Sequence, residues 1–166
     1  MSVVSWTVRL ALLCYTAATV ISLLQPVSGQ RTRTRIVRPL WTAGALLFLA
    51  HVAAAFHFEH HWSHAAAIQS TAVQTEQLIG VAFGEGLWFS YLFVLLWTVD
   101  VAWSWIHADS WQNRTPAITV ALHAWLFFIA FNGAVIFESG PTRPAGMLVT
   151  GLLAGLAFRR LRPAKR

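Results

Sequence analysis

Four of the seven histidines in the chain fall within eight residues, as His57, His60, His61 and His64. At about 100° per residue on an α-helix they lie at roughly 0°, 300°, 40° and 340°, so one helical face would carry all four. Two imidazoles at i and i+4 reach one metal ion, and here two such pairs overlap, His57–His61 and His60–His64. Imidazole suits iron, copper and zinc, so the spacing predicts a transition-metal site with Fe, Cu or Zn as its cofactor. Each ligating ring also needs an acceptor to orient it. Glu59 falls on the opposite face, which leaves Glu76, Glu85 and Glu138 as the carboxylates that could fold back to the site. The competing reading is a solvated polar helix or a pH-responsive histidine patch.

A second constellation is a pair. Asp100 sits inside the apolar run 86–106, and His123 sits inside the next one, 117–137. Each lies about seven residues from the short connection between the runs, roughly 10 Å at the helical rise. Antiparallel helices would therefore bring them to one level, as a hydrogen-bonded or ionic Asp100–His123 pair. Its bland role is helix–helix glue, worth about 1–2 kcal/mol in a membrane; its sharper role is proton handling. His51, Tyr91 and Asn132 fall at comparable depths toward the histidine-bearing end, where Tyr91 or Asn132 could hydrogen-bond His51 or line a polar pocket. His51 and His123 lie at opposite depths, which excludes one haem shared between them.

The segment His57-Phe58-Glu59-His60-His61 resembles one histidine box of the membrane fatty-acid hydroxylases and desaturases. That resemblance implies a di-iron centre, although the family carries more boxes than the one present here. The broader run from His51 to Asp100, with WSHA, TAVQT and a Gly-Glu-Gly turn before an aromatic stretch, is similar to small uncharacterised bacterial multi-pass membrane proteins. This second resemblance implies no particular activity.

The elements that must position these residues follow from composition. The chain has 166 residues, 57% apolar, 13% aromatic and only 11% charged. A soluble domain carries about 25% charged residues, so this chain lacks the charge for a water-facing surface. Disorder is excluded by the aromatic content, and a disulfide scaffold by the single cysteine, Cys14, which reads as a buried packing thiol. The net charge of +6 is not gathered on a nucleic-acid-reading element. A membrane protein remains, with the lipid bilayer as partner and no nucleic acid.

A crossing helix needs about 20 mostly apolar residues. Five segments are expected to cross, at 4–24, 40–58, 86–106, 117–137 and 145–161, the last extended by the snorkelling arms of Arg143 and Arg159. Residues 59–79 are expected to form an outer amphipathic helix carrying the histidines. The fold class is thus an all-α polytopic helix bundle in a single membrane domain, 1–166. The basic residues give it a direction: ten of twelve fall at 31–38, at Arg114 or at 159–166. With five crossings these segments share one side, which the positive-inside rule makes cytoplasmic, so the N-terminus is outside in the cell inner membrane. Residues 10–29 also resemble a signal peptide cut before Gln30, but the cut would export the RTRTR run.

Tryptophans are expected in two interfacial belts, Trp6, Trp62 and Trp88 at the outer end and Trp41, Trp105 and Trp111 at the inner end. Trp97, Trp103 and Trp125 lie deeper and read as packing residues. Gly151 and Gly155 form a GxxxG in the last segment, for packing inside the bundle or for a homodimer. Two functions are in view. One is a transition-metal site at the outer face, in a small membrane oxidoreductase or a metal-handling protein. The other is a non-enzymatic accessory or assembly subunit of a membrane complex.

Overall fold

The computed structural model describes residues 2–25, 33–137, 140 and 142–161, and among these every regular element is helical. In chain order the helices are α1 (Val3–Leu24), α2 (Arg38–Phe58), α3 (His64–Ile79), α4 (Leu87–Ile106), α5 (Ala108–Gln112), α6 (Pro116–Phe131) and α7 (Thr142–Leu161). A π-helical turn, Arg33–Val37, leads into α2, a 3-10 turn, Gly84–Gly86, leads into α4, and a second π turn, Asn132–Ile136, ends α6. Four of these stretches are long and apolar enough to cross a membrane: Val3–Leu24, Thr34–Phe58, Gly84–Ile106 and Pro116–Ile136. They coincide with the first four expected spans to within a few residues. α7 is comparable in length but contains Arg143, Arg159 and Arg160.

Local chemistry sets the ends. Ser2 caps α1 by accepting the backbone N–H of Ser5 at 3.2 Å, which satisfies one of the orphan donors of a first turn. Proline enters early in α2 and at the start of α6, where its missing N–H costs nothing. α3 stops at Gly80, whose φ of 74° is the left-handed closure that glycine adopts without strain.

α1 and α2 are the most intimate pair, and small residues permit it. Ala11 and Ala18 are buried on α1, Gly44 and Ala45 on α2. A Cβ on Gly44 would stand 2.8 Å from the Trp97 ring and 3.2 Å from the Cys14 Cβ, so only glycine fits. Around this seam lies an aromatic core of Tyr15, Trp41, Phe93 and Trp97 with Leu126. The Trp41 and Trp97 rings lie 5.2 Å apart, and Phe93 meets Trp97 edge-on at 5.4 Å, geometries that add to plain burial.

α3 does not stand as an extension of α2. The chain breaks over residues 59–63, where His61 and Trp62 adopt φ values of 48° and 60°. Ser63 then caps α3 through the N–H of Ala66. α3 folds back onto its own return loop: the Thr75 hydroxyl accepts the N–H of Phe83 at 2.8 Å. A Cβ on Gly84 would fall 2.6 Å from Ile68 Cγ2. Sequence periodicity predicted one helix over 59–79, and the structure corrects its start to His64.

Candidate functional site

The strongest polar feature is at the arginine-bearing end of the bundle. Asp100, on α4, is only 4% exposed, yet its carboxylate is surrounded by donors. Trp41 Nε1–H, from α2, donates to Oδ2 at 2.9 Å, and Trp111 Nε1–H, from α5, donates to Oδ1 at 3.2 Å. Arg114 closes the set by donating to Oδ1 from a side chain that is 3% exposed. A carboxylate removed from water needs an opposite charge and a filled hydrogen-bond shell. Asp100 has both.

Short local elements make this possible. His107 ends α4 in a non-helical conformation and lets the five-residue α5 turn back against it. That turn brings Trp111 and then Arg114 under Asp100. Arg114 is oriented by Nε–H donation to Thr119 Oγ1 at 3.0 Å and by the Trp111 ring, 5.2 Å from its guanidinium carbon. Trp41 and Trp111, expected in an interfacial belt, are instead buried because Asp100 recruits their N–H groups. Trp105 is exposed at that end.

His123 reaches the same cluster from α6, its ring centroid 5.2 Å from that of Trp41. His123 stands beside Trp41, while the hydrogen bonds described at Asp100 come from Trp41, Trp111 and Arg114. Sequence reasoning missed these three donors. The signal was present: one acid in a span calls for a cation, and Arg114 is the one basic residue between the third and fourth spans.

At the other end the histidines do not share a face. His57 ends α2, His60 and His61 lie in the break, and His64 begins α3. His57 Nδ1 accepts Trp62 Nε1–H at 3.3 Å, and His60 meets the Phe56 ring edge-on. His64 Nδ1 is hydrogen-bonded to the Tyr91 hydroxyl at 2.9 Å, with the two rings stacked. Among the described residues no group of three or more His, Cys, Asp or Glu side chains stands close enough to hold a metal ion. The single-face geometry is therefore corrected, because the premise of a continuous helix through 57–64 fails at the left-handed residues 61 and 62.

The other candidates are placed as follows. His51 Nδ1 bonds the Val4 carbonyl at 2.9 Å. Tyr91 is taken by His64, and Asn132 donates to the Phe128 carbonyl within its own helix at 2.7 Å. Glu76 and Glu85 are exposed on α3 and on the 3-10 turn. Glu138 lies outside the described residues. Gly151 and Gly155 face away from the bundle, since a Cβ on either would meet nothing within 4 Å. The glycine that α7 uses internally is Gly146, whose Cβ would lie 2.6 Å from the Ala134 carbonyl.

This geometry can hold a charge and fasten helices. Both Asp100 oxygens are engaged by protein donors, so the carboxylate clamps α2, α4 and the α5 turn. No protein-family model matches the chain, and neither a curated protein nor a solved structure shows significant similarity to it.

Proposed function

We propose that the protein is a five-crossing integral membrane protein of the cell inner membrane, N-terminus outside, serving as a non-enzymatic subunit of a membrane assembly. Four crossings rest on the four long apolar helices. α7 supplies the fifth: its 20 residues extend about 30 Å at the helical rise, the thickness of a hydrocarbon core. Arginines at both of its ends are suited to snorkel to the two interfaces. An odd count gathers the arginine-rich segments on the cytoplasmic side.

The observation that carries the assembly reading is the contrast among the glycines. Gly44, Gly84 and Gly146 are each pressed against neighbouring atoms of this chain, whereas Gly151 and Gly155 leave open space on the outside of α7. A GxxxG on an open flank permits close backbone approach by another membrane helix. The Asp100 clamp supports the same reading from within, because it fixes a rigid bundle against which such a flank is presented. The test is the mass of the protein extracted from its own membrane in mild detergent, compared with a Gly151→Leu, Gly155→Leu variant. The reading predicts a particle heavier than one chain that collapses to one chain in the variant. A single-chain mass for both would refute it, and the mass of the chain purified alone separates a homodimer from a complex with another protein.

A further inference from the structure

We propose that Arg38, with Arg35 preceding it on the chain, holds the phosphate of an anionic phospholipid at the arginine-bearing end, where α2 meets α4. Arg38 opens α2 and folds its side chain across to α4. Its guanidinium carbon lies 4.1 Å from the Trp105 ring centroid, and NH1 donates to the Ser104 carbonyl at 3.1 Å. The platform beneath is itself fixed. Trp105 Nε1–H donates to Thr42 Oγ1 at 3.0 Å, and the Thr42 hydroxyl donates to the Arg38 carbonyl at 2.9 Å. The guanidinium is thus held flat on an indole and positioned before any ligand arrives.

Among the described residues no carboxylate is paired with its charge. Among the described residues the one ion pair is Asp100–Arg114, and Asp100 gives its oxygens to Trp41, Trp111 and Arg114. Arg38 Nε is buried without a hydrogen-bond partner, in a group that carries five N–H donors. Arg35 is exposed on the preceding turn. Residues 31–38 contain four arginines and no acid.

The surroundings select the anion. Arg38, Thr42, Leu46 and Leu49 fall within about 80° on the α2 wheel. Leu46 is 60% exposed there, and the supporting Trp105 is 52% exposed. A basic head thus continues into an apolar wall along the helices, which matches a phosphate followed by an acyl chain. Guanidinium is weakly hydrated and pairs with phosphate oxygens in a two-pronged fork, and basic sites between membrane helices take acidic headgroups. The site occupies whichever leaflet holds Arg38, so it stands apart from the direction of insertion and from the docking role of α7.

The test is native mass spectrometry of the delipidated full chain in mild detergent, titrated with phosphatidylglycerol or with phosphatidylcholine of the same acyl chains. The expected result is retention of phosphatidylglycerol with an affinity about tenfold above phosphatidylcholine, undiminished by excess inorganic phosphate. Arg38→Gln abolishes the preference, and Arg38→Lys, which keeps the charge and loses the fork, restores it only in part. Arg143→Gln, at the opposite end of α7, binds as wild type. Should Arg38→Gln not fold, Arg38→Lys and Arg35→Gln carry the test, each with a weakened preference. Equal binding of the two lipids by the wild type, unchanged binding in these arginine variants, or displacement by inorganic phosphate would overturn the proposal.

Discussion

The two ends of the bundle both carry polar side chains in an apolar chain, and they organise them in opposite ways. At one end Asp100 is buried, and donors from α2, from α5 and from Arg114 beyond it converge on its two oxygens. At the other end His57, His60 and His64 each settle against nearby aromatic rings or a hydroxyl without converging on one point, while Trp62 and Trp88 stay exposed. The difference is one of dielectric. A charge deep in the bundle has no water to fall back on, so the fold assembles a complete shell around it. Imidazoles at an exposed edge are satisfied by water or a neighbour, and their spacing exerts no comparable pull.

This contrast predicts a steep gradient of mutational effects. The largest belongs to the ion pair: Asp100→Ala or Arg114→Ala strands a buried charge and should cost about 3–5 kcal/mol, read from unfolding of the full chain in mixed detergent micelles. Next is Trp41→Phe, which keeps the ring near Tyr15 and Trp97 but removes one donor from the carboxylate. A loss of about 1.5–3 kcal/mol is expected for a hydrogen bond to a charged group, and a loss below that range would assign Trp41 to packing alone. Gly84→Val acts at the histidine-bearing end, pressing into Ile68 and lifting α3 off its return loop. About 1–3 kcal/mol of overpacking strain should appear chiefly as faster proteolysis between residues 63 and 84, and unchanged cleavage there would contradict the docking of α3 on Gly84. The smallest effect belongs to the histidines. His60→Ala with His61→Ala should change stability by no more than about 0.5 kcal/mol, and a metal lost on this double substitution would establish the metal-site reading.

Much of the architecture was legible because crossing a membrane is a matter of length and apolarity. The bounds of the four long helices follow directly from uninterrupted apolar runs and from Pro39 and Pro116. The break after Phe58 was harder to read. Left-handed turns are ordinarily marked by glycine or asparagine, whereas this one uses His61 and Trp62. The remaining cue was Ser63 before an alanine-rich run, a helix-start pattern that the histidine periodicity masked. The Asp100 shell was half legible. Depth arithmetic between facing helices found the level of His123, but it assigned Arg114 to a connection. What a linear reading lacked was α5, five residues that turn the connection back under the bundle. The glycines divide similarly: spacing singles out Gly151 and Gly155, while the tight contacts of Gly44 and Gly146 depend on neighbours distant in sequence.

The central claim is that Asp100 and Arg114 form one structural clamp. The direct measurement is a double-mutant cycle on unfolding free energy, comparing Asp100→Ala, Arg114→Ala and the two combined in the full chain. Removing both charges leaves neither stranded, so the account predicts that the double variant is no less stable than the worse single variant, with a coupling at least as large as the smaller single loss, about 3 kcal/mol. Single losses that simply add in the double variant would contradict it.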